Sequence, residues 1–232
     1  MTTSNRQTEV ESPGRPPRRP SRFARRARVH VAVGAGSLTA GSLVYACVRS
    51  DDAVFRASMA TAYVALALFV ITLAFGPVAS LRGRRYPVST DIRRDFGIWS
   101  GVFTLAHVVI GLQVHMRGKM WEYFAHSSHG SVLPRFDPFG LANYAGLAAT
   151  VFFAVLLVTS NDVSMRRLGA GSWQRIHRLA DWALILTLVH GAAYQWIEKR
   201  PWAFVVFFVA LTLSSIGPRF FRSRKALESA EN

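Results

Sequence analysis

Histidine is the residue type most able to do chemistry in this sequence. There are seven, and several lie inside or beside long uncharged apolar runs: His30, His107, His115, His126, His129, His177 and His190. An ionisable residue inside an apolar run is a candidate functional site, although a lone one often serves only as a helix–helix hydrogen bond. Cys47 is the only cysteine, which excludes an intrachain disulfide and a cysteine-based zinc or iron–sulfur centre. A bound metal or cofactor would therefore need other ligands, and imidazole is the obvious one.

His107 and His190 occupy equivalent positions in two of the apolar runs. His107 follows Arg94 by 13 residues, and His190 follows Arg178 by 12 residues. If both runs are parallel helices, each imidazole lies roughly 18–20 Å from its basic anchor, at matching depth. Two imidazoles at one level can clamp a planar haem from opposite sides, and an iron with both axial positions filled suits electron transfer better than oxygen binding. The alternative is a pair of independent packing histidines.

His177 is a candidate for a second site. It precedes His190 by 13 residues, roughly 20 Å along a continuous helix, so the two cannot share one haem. This spacing would suit two haems stacked across a membrane. The alternative is an interfacial histidine that bonds to a propionate, a lipid or a neighbouring helix.

A second haem at His177 would need an opposing ligand. At the corresponding depth, just before the third apolar run, lie Arg93 and Arg94, which cannot ligate iron, so His30 would have to substitute. Asp181, four residues after His177, would lie on the same helical face and could accept the second ring N–H. An interfacial acid paired with a neighbouring arginine is the alternative.

The other histidines lie at the edges of the apolar runs or between them. The position of His115, eight residues beyond His107, favours an interfacial residue over a ligand. The spacing of Glu122, His126 and His129 could bind a divalent metal, but on a loop where solvated side chains are the alternative.

Six apolar runs are long enough to cross a hydrocarbon core of roughly 30 Å: 29–48, 57–81, 97–116, 141–159, 174–197 and 201–218. Backbone polar groups in lipid must be paired within the segment, so the runs are expected to be helices. The dipeptide Gly76-Pro77 should kink or end the second. We therefore predict an all-α integral membrane protein, with haem bound between the third and fifth helices of a six-helix transmembrane bundle.

Charge divides the chain into three regions. Residues 1–28 are basic and expected to be disordered, 29–218 form the six-span domain, and 219–232 form a tail. A net charge of +15 could indicate nucleic acid as a partner, but the basic residues cluster between apolar runs, so we expect membrane lipid and no nucleic acid. Of the 28 lysines and arginines, 21 lie on the side of both termini and 7 on the other, which predicts cytoplasmic termini.

Two stretches of the chain resemble the ferric-reductase-like transmembrane domain family. The similarity is closest to the haem-binding subunits of bacterial methionine-sulfoxide reductases (MsrQ/YedZ type), which also lack a fused dehydrogenase domain, and it covers residues 90–200. In sequence order, the matching positions are Arg93-Arg94, Gly97, His107, Thr159-Ser160-Asn161, Arg166-Arg167-Leu168-Gly169, Trp173-Gln174-Arg175-Ile176-His177-Arg178-Leu179 and His190. The chain departs from the family where it has Ala180-Asp181 in place of a tyrosine-containing stretch, and in the segment 117–140.

The resemblance implies b-type haem, either one or two. His107 and His190 match the family's axial iron ligands, and His177 matches a third cofactor-binding histidine. It also implies a bacterial inner membrane, a cytoplasmic flavin or NAD(P)H reductase that carries FMN or FAD as electron donor, and a periplasmic acceptor. That acceptor would be a methionine-sulfoxide reductase partner or a ferric chelate.

The leading hypothesis is therefore a haem b transmembrane electron-transfer subunit. No segment outside the spans is large enough for a dehydrogenase domain, so the chain would be one component of an oxidoreductase, with no catalytic residue of its own assigned. The alternative is a non-redox polytopic protein, such as a transporter or an assembly factor, whose histidines pack helices or relay protons.

Overall fold

The computed structural model describes residues 21–81, 90–128 and 130–228, and this part of the chain is mostly helical. The helices are α1 (Arg22–Cys47), α2 (Ala53–Leu81), α3 (Thr90–Gly111), α4 (Pro138–Thr159), α5 (Asp162–His177), α6 (Leu179–Ile197) and α7 (Trp202–Glu228). Between α3 and α4 lie a 3₁₀ turn (Met120–Tyr123) and two short antiparallel strands, β1 (Ala125–Ser128) and β2 (Ser131–Pro134). The hairpin was not anticipated from the sequence.

Short polar side chains begin several of the helices. The Asp137 carboxylate accepts the Gly140 N–H at 2.7 Å, and Pro138 follows it at the first position of α4, where the missing N–H is not needed. The Asn161 side chain caps α5 in the same way, through the Ser164 N–H. These caps pair backbone donors that the helices cannot satisfy internally.

Three of the described helices are long and apolar enough to cross a membrane by length and composition: Phe23–Cys47, Ala53–Val78 and Pro138–Thr159. Each of the six predicted apolar runs nevertheless corresponds to a helix of at least 19 residues. α3 carries charged residues in its first half and α6 carries Asp181 and His190, which lowers their apolar content.

The predicted fifth span begins inside α5 and continues through α6. The expected run 174–197 is divided at Arg178, which ends the separate helix α5 before α6 begins at Leu179. The Arg178 N–H contacts the carbonyl of Arg175 as well as that of Gln174, and the Asp181 N–H bonds back to the Arg178 carbonyl. These bonds three residues apart tighten the chain at the junction.

His177 and His190 belong to two successive helices with the single residue Arg178 between them, and Arg178 itself has helical φ and ψ angles of −68° and −18°. The clear kink in this region lies inside α5 at Gly169, whose φ of 71° is not helical.

The predicted region boundaries also shift at both ends. Residues 22–28, expected to be disordered, belong to α1, and α7 continues past residue 218 to Glu228. Residues 1–20 and 229–232 of the predicted terminal regions lie outside the described residues. α2 contains Pro77 and continues to Leu81, so the proline does not end it.

α2 is the central helix of the bundle. It packs most extensively on α3 and also contacts α1 and α7, while α4 packs mainly on α6. Buried aromatic and aliphatic side chains fill these interfaces; for example, Phe69 of α2 meets Phe153 of α4 with ring centroids 4.6 Å apart. The two tightly packed pairs, α2 with α3 and α4 with α6, leave room between them for a cavity.

A buried carboxylate ties α1 to α3. The Asp95 side chain is 1% exposed, and its Oδ1 accepts from Arg26 Nη2 at 2.7 Å and lies 3.2 Å from His30 Nε2. Its Oδ2 is buried without a hydrogen-bond partner. A buried charge is tolerated only where it is paired, so this contact should govern how α1 docks.

We expect Asp95→Ala to destabilise the protein by roughly 3 kcal/mol, because it leaves Arg26 partly buried without its counter-charge. The measurement is the free energy of unfolding in detergent. Glu122→Ala is the control, since it removes an exposed ion pair with Lys119 that should contribute less than about 1 kcal/mol. Equal effects of the two substitutions would show that the Asp95 contact does not hold α1.

Candidate functional site

A cavity of about 250 Å³ lies between α2, α3, α4 and α6. Its wall is largely apolar, with Met59 and Leu66 from α2, Phe153 from α4 and Phe208 from α7. His107 of α3 and His190 of α6 are also part of the wall. The cavity therefore combines an apolar lining with two convergent imidazoles, which is typical of a cofactor site.

The expected proximity of His107 and His190 is present in the structure. Their ring centroids are 6.4 Å apart, and the ring planes are inclined by 69°. The two imidazoles come from different helices and meet across the cavity, as the matching depth of the two residues predicted.

Each imidazole is held by a backbone carbonyl of a neighbouring helix. His107 Nδ1 lies 3.0 Å from the Ser58 carbonyl oxygen, and His190 Nδ1 lies 2.8 Å from the Ala142 carbonyl oxygen. A carbonyl oxygen only accepts, so Nδ1 must carry the proton in both rings. Nε2 then keeps its lone pair, which is the tautomer that a metal ligand requires.

The pair fits a metal held between two axial imidazoles. With nitrogen–metal bonds of about 2 Å, two rings on opposite sides of one metal have centroids about 6 Å apart. The observed 6.4 Å agrees with this requirement. Within residues 21–81, 90–128 and 130–228, neither Nε2 has a hydrogen-bond partner. Both nitrogens are thus available as ligands of an iron porphyrin.

The close approach of His190 to α4 depends on Gly146. A Cβ at this position would lie 2.7 Å from His190 Nδ1, closer than real Cβ contacts allow. Gly146 is one helical turn after Ala142, so its missing side chain exposes the carbonyl that orients the ring. On α2 the residue one turn after Ser58 is Ala62, another small residue.

One end of the cavity is formed by the segments that follow α3 and α6, and we call it the loop end. There the Tyr123 hydroxyl donates to the Gly111 carbonyl at 2.8 Å, and the Tyr194 hydroxyl donates to Asn143 Oδ1 at 2.8 Å. These hydrogen bonds join the loop to α3, and α6 to α4. The loop end is therefore ordered by buried polar contacts and not only by apolar packing.

His115 contacts a carboxylate at the loop end. Its Nε2 lies 2.7 Å from Glu198 Oε1, and this hydrogen bond lowers the pKa of the Glu198 carboxyl from its ordinary value. The contact joins the segment after α3 to the segment after α6. His115 also lines the cavity.

The segment between α3 and α4 is anchored to the bundle. The Arg135 N–H donates to the Phe124 carbonyl at 2.8 Å, and Tyr144 of α4 donates to the same carbonyl. Tyr123 is 3% exposed and lines the cavity together with Phe124. This segment thus forms part of the cavity wall, a role that its sequence did not indicate.

The remaining candidate residues lie elsewhere. His177 does not line the cavity; its ring stacks on Trp173 with centroids 3.8 Å apart, and its Nε2 lies 3.3 Å from Thr159 Oγ1. His30, considered as its partner, contacts Asp95. Asp181 lies in the first turn of α6.

The loop metal site considered for Glu122, His126 and His129 is only partly within the structure. His129 lies outside the described residues. Among the described residues, no three histidine, cysteine, aspartate or glutamate side chains form a group that could hold a metal ion.

Comparison with known proteins identifies the family. Residues 59–188 match the family model described as ferric reductase like transmembrane component. This match covers more than half of the chain and includes α3, α4, α5 and the first half of α6. The chain belongs to this family. The predicted resemblance is confirmed, and the chain is a multi-pass membrane protein.

A curated relative comes from Deinococcus radiodurans and is named protein-methionine-sulfoxide reductase heme-binding subunit MsrQ. The two are 30% identical over 137 residues, which is 58% of this chain and 60% of the relative. The chain thus spans about three fifths of the length of the relative it matches. Both His107 and His177 fall within the family match, whereas His190 lies two residues beyond its end.

Sequence reasoning missed the residues that orient the histidines. The carbonyls of Ser58 and Ala142 carry no side-chain signal, because any residue supplies a carbonyl. Gly146 does carry one, since a glycine inside an apolar span commonly marks close packing. Gly146 lies in a run of small residues in α4, and this pattern could have identified it as a position of close helix packing.

We expect Gly146→Ala to destabilise the bundle by about 1–3 kcal/mol, because the new Cβ must displace the His190 ring or separate α4 from α6. The measurement is the unfolding midpoint in detergent. Gly36→Ala is the matched control: its Cβ would meet no atom within 4 Å, so that substitution should be neutral or slightly stabilising. Equal unfolding midpoints for Gly146→Ala and Gly36→Ala would show that His190 does not pack tightly against α4 at this position.

Proposed function

We propose that this protein is a haem b electron-transfer subunit of the membrane, with His107 and His190 as the axial ligands of the haem iron. The supporting observation is the pair of imidazoles that face each other across an apolar cavity with both Nδ1 atoms bound to carbonyl oxygens. Membership of the ferric reductase like family and the heme-binding name of the relative favour the same cofactor.

The chain's own residues orient the ligands and exclude water. The Ser58 and Ala142 carbonyls bind the Nδ1 atoms of the two rings, which leaves Nε2 of each as the nitrogen that would hold the iron. The apolar wall keeps the site dry, which affects the reduction potential of any bound iron centre. Haem bound there would supply a one-electron couple, with both axial positions filled by protein.

We propose that electrons enter from a cytoplasmic donor and leave at the other face. A flavin or NAD(P)H reductase that carries FMN or FAD is the donor class, and a methionine-sulfoxide reductase partner is the proposed acceptor, with a ferric chelate as the alternative substrate. The relative's name supports the first acceptor. In this arrangement the membrane is a bacterial inner membrane crossed six times, with both termini in the cytoplasm.

The decisive test is the optical and electron paramagnetic resonance spectrum of the purified protein. We expect low-spin haem b that does not react with carbon monoxide, because both axial positions are occupied. A colourless protein purified from haem-replete cells would contradict the proposal and favour the non-redox alternative. A high-spin or carbon monoxide-reactive haem would argue against the histidine pair.

We expect His107→Ala and His190→Ala each to abolish the main haem, since either leaves only one strong protein ligand for the iron. His177→Ala should leave it in place, because His177 does not line the cavity. The measurement is the ratio of haem to protein for the three variants at comparable yield. If His177 holds a second haem, His177→Ala should lower the ratio of haem to protein by up to about half.

The histidine variants need a control for folding. His126→Ala serves as the control, because His126 lies on β1 and its side chain is exposed. It should keep the wild-type haem content. Complete haem loss in His177→Ala, together with retention in His107→Ala, would show that the proposed pairing is wrong.

We expect topology reporters fused at the C-terminus to read cytoplasmic, and reporters near residues 50 and 130 to read external. The reason is the distribution of the basic residues: 21 lie in the termini and in the connecting segments predicted on the same side, whereas 7 lie in the three other connecting segments. The measurement uses paired reporters that are active on opposite sides of the membrane. A C-terminus and a residue 130 on the same side would contradict the six-span arrangement.

A further inference from the structure

Arg200 is a half-buried cation at the loop end of the cavity. It follows α6, and its side chain lines the same cavity as His107 and His190. Its backbone N–H donates to the Gln195 carbonyl at 3.1 Å, which holds the residue close to the last turn of α6. Arg200 is the only arginine, lysine, aspartate or glutamate that lines the cavity in the described part of the chain.

No carboxylate of the described chain forms an ion pair with Arg200. The nearby acid, Glu198, is engaged by His115 at 2.7 Å. The guanidinium carbon lies 4.6 Å from the centre of the Phe55 ring, and Nε is buried without a hydrogen-bond partner. Burial also lowers the pKa of the Arg200 guanidinium from its ordinary value, although arginine stays charged. Glu198 offsets part of this desolvation through its charge, and an anionic group inside the cavity would offset more of it.

The wall beside Arg200 has a second unpartnered polar atom. Gln195 donates through Nε2 to the Tyr63 hydroxyl at 3.1 Å, and its Oε1 is buried without a partner. Both orphaned atoms belong to residues that line the cavity. Of these two atoms, Arg200 Nε is a donor that an acceptor such as a carboxylate would satisfy, whereas Gln195 Oε1 needs a donor, which an ionised carboxylate does not provide.

The position of Arg200 suits one edge of a planar ligand between the histidines. Gln195 lies five residues beyond His190, about 7.5 Å along the axis of α6. Arg200 is tied to Gln195 and therefore lies to one side of the histidine pair, not between the rings. Haem b carries its two carboxylates on one edge, and a guanidinium recognises a carboxylate through paired N–H donors.

We propose that Arg200 binds a carboxylate side chain of the haem held between His107 and His190 and so directs that edge of the porphyrin toward the loop end. This inference rests on the proposed function, because it assumes that haem occupies the cavity. Arg200 acts as a binding and positioning residue, whereas the axial histidines hold the iron.

The test compares two iron porphyrins in the full-length protein purified without haem and reconstituted in detergent. One is ferric protoporphyrin IX, and the other is its dimethyl ester, which has the same ring and iron but no carboxylate. The measurement is the rate of porphyrin loss to an excess of a haem-scavenging protein. The wild-type protein should lose the ester about 10- to 100-fold faster, because a hydrogen bond to a charged group contributes about 1.5–3 kcal/mol.

Arg200→Gln should lose native haem about 10- to 100-fold faster than the wild type does and should retain the ester as the wild type does. Arg200→Lys keeps the charge and should restore part of the difference. Lys199→Gln is the matched control, because it removes one positive charge from an exposed neighbouring side chain that does not line the cavity. It should behave as the wild type with both porphyrins.

Equal loss of native haem from the wild type and Arg200→Gln would overturn this inference, as would equal loss of the two porphyrins from the wild type. The second comparison needs no variant, so it decides the question even if Arg200→Gln fails to fold. Haem loss in His190→Ala without an effect of Arg200→Gln would leave the proposed function standing and remove the role of Arg200. A wild-type protein that binds neither porphyrin would contradict the proposed function itself.

Discussion

The functional architecture depends on two hydrogen bonds from imidazole to backbone. His107 bonds to the Ser58 carbonyl and His190 to the Ala142 carbonyl, so each ring of the pair is fixed by a helix other than its own. A histidine on an apolar helix could otherwise turn toward any polar atom within reach, because an unpaired polar group is costly in lipid. Pairing Nδ1 leaves Nε2 as the only ring nitrogen available to a ligand in the cavity.

These hydrogen bonds follow the main packing of the bundle. α2 lies against α3 and α4 against α6, and each of these interfaces contains one of the bonds. Gly146 permits the approach of His190 to α4, since a Cβ at that position would overlap the ring. A substitution that separates either helix pair should therefore alter the orientation of an imidazole as well as the stability. Structural and functional effects should be coupled at these interfaces.

The two ends of the bundle differ in chemistry. At the loop end, His115 and Arg200 line the cavity, and His115 contacts Glu198. Near the other end, Asp95 with its partners on α1 and the ion pair between Arg94 and Asp162 join helices without lining the cavity. Polar groups at this second end can therefore serve docking of the helices, whereas those at the loop end also face the cavity.

The primary sequence was sufficient to predict the helical membrane class, the family and the proximity of His107 and His190. Those properties follow from apolar run length, local motifs and the rise per residue, which act along one segment at a time. The kink at Gly169, the ordered segment that lines the cavity and the contact of His30 with Asp95 could not be predicted in this way. They depend on which backbone and side-chain groups meet from segments far apart in the chain. A carbonyl such as that of Ala142 has no sequence signature, so its role as the acceptor of His190 arises only when α4 and α6 pack together.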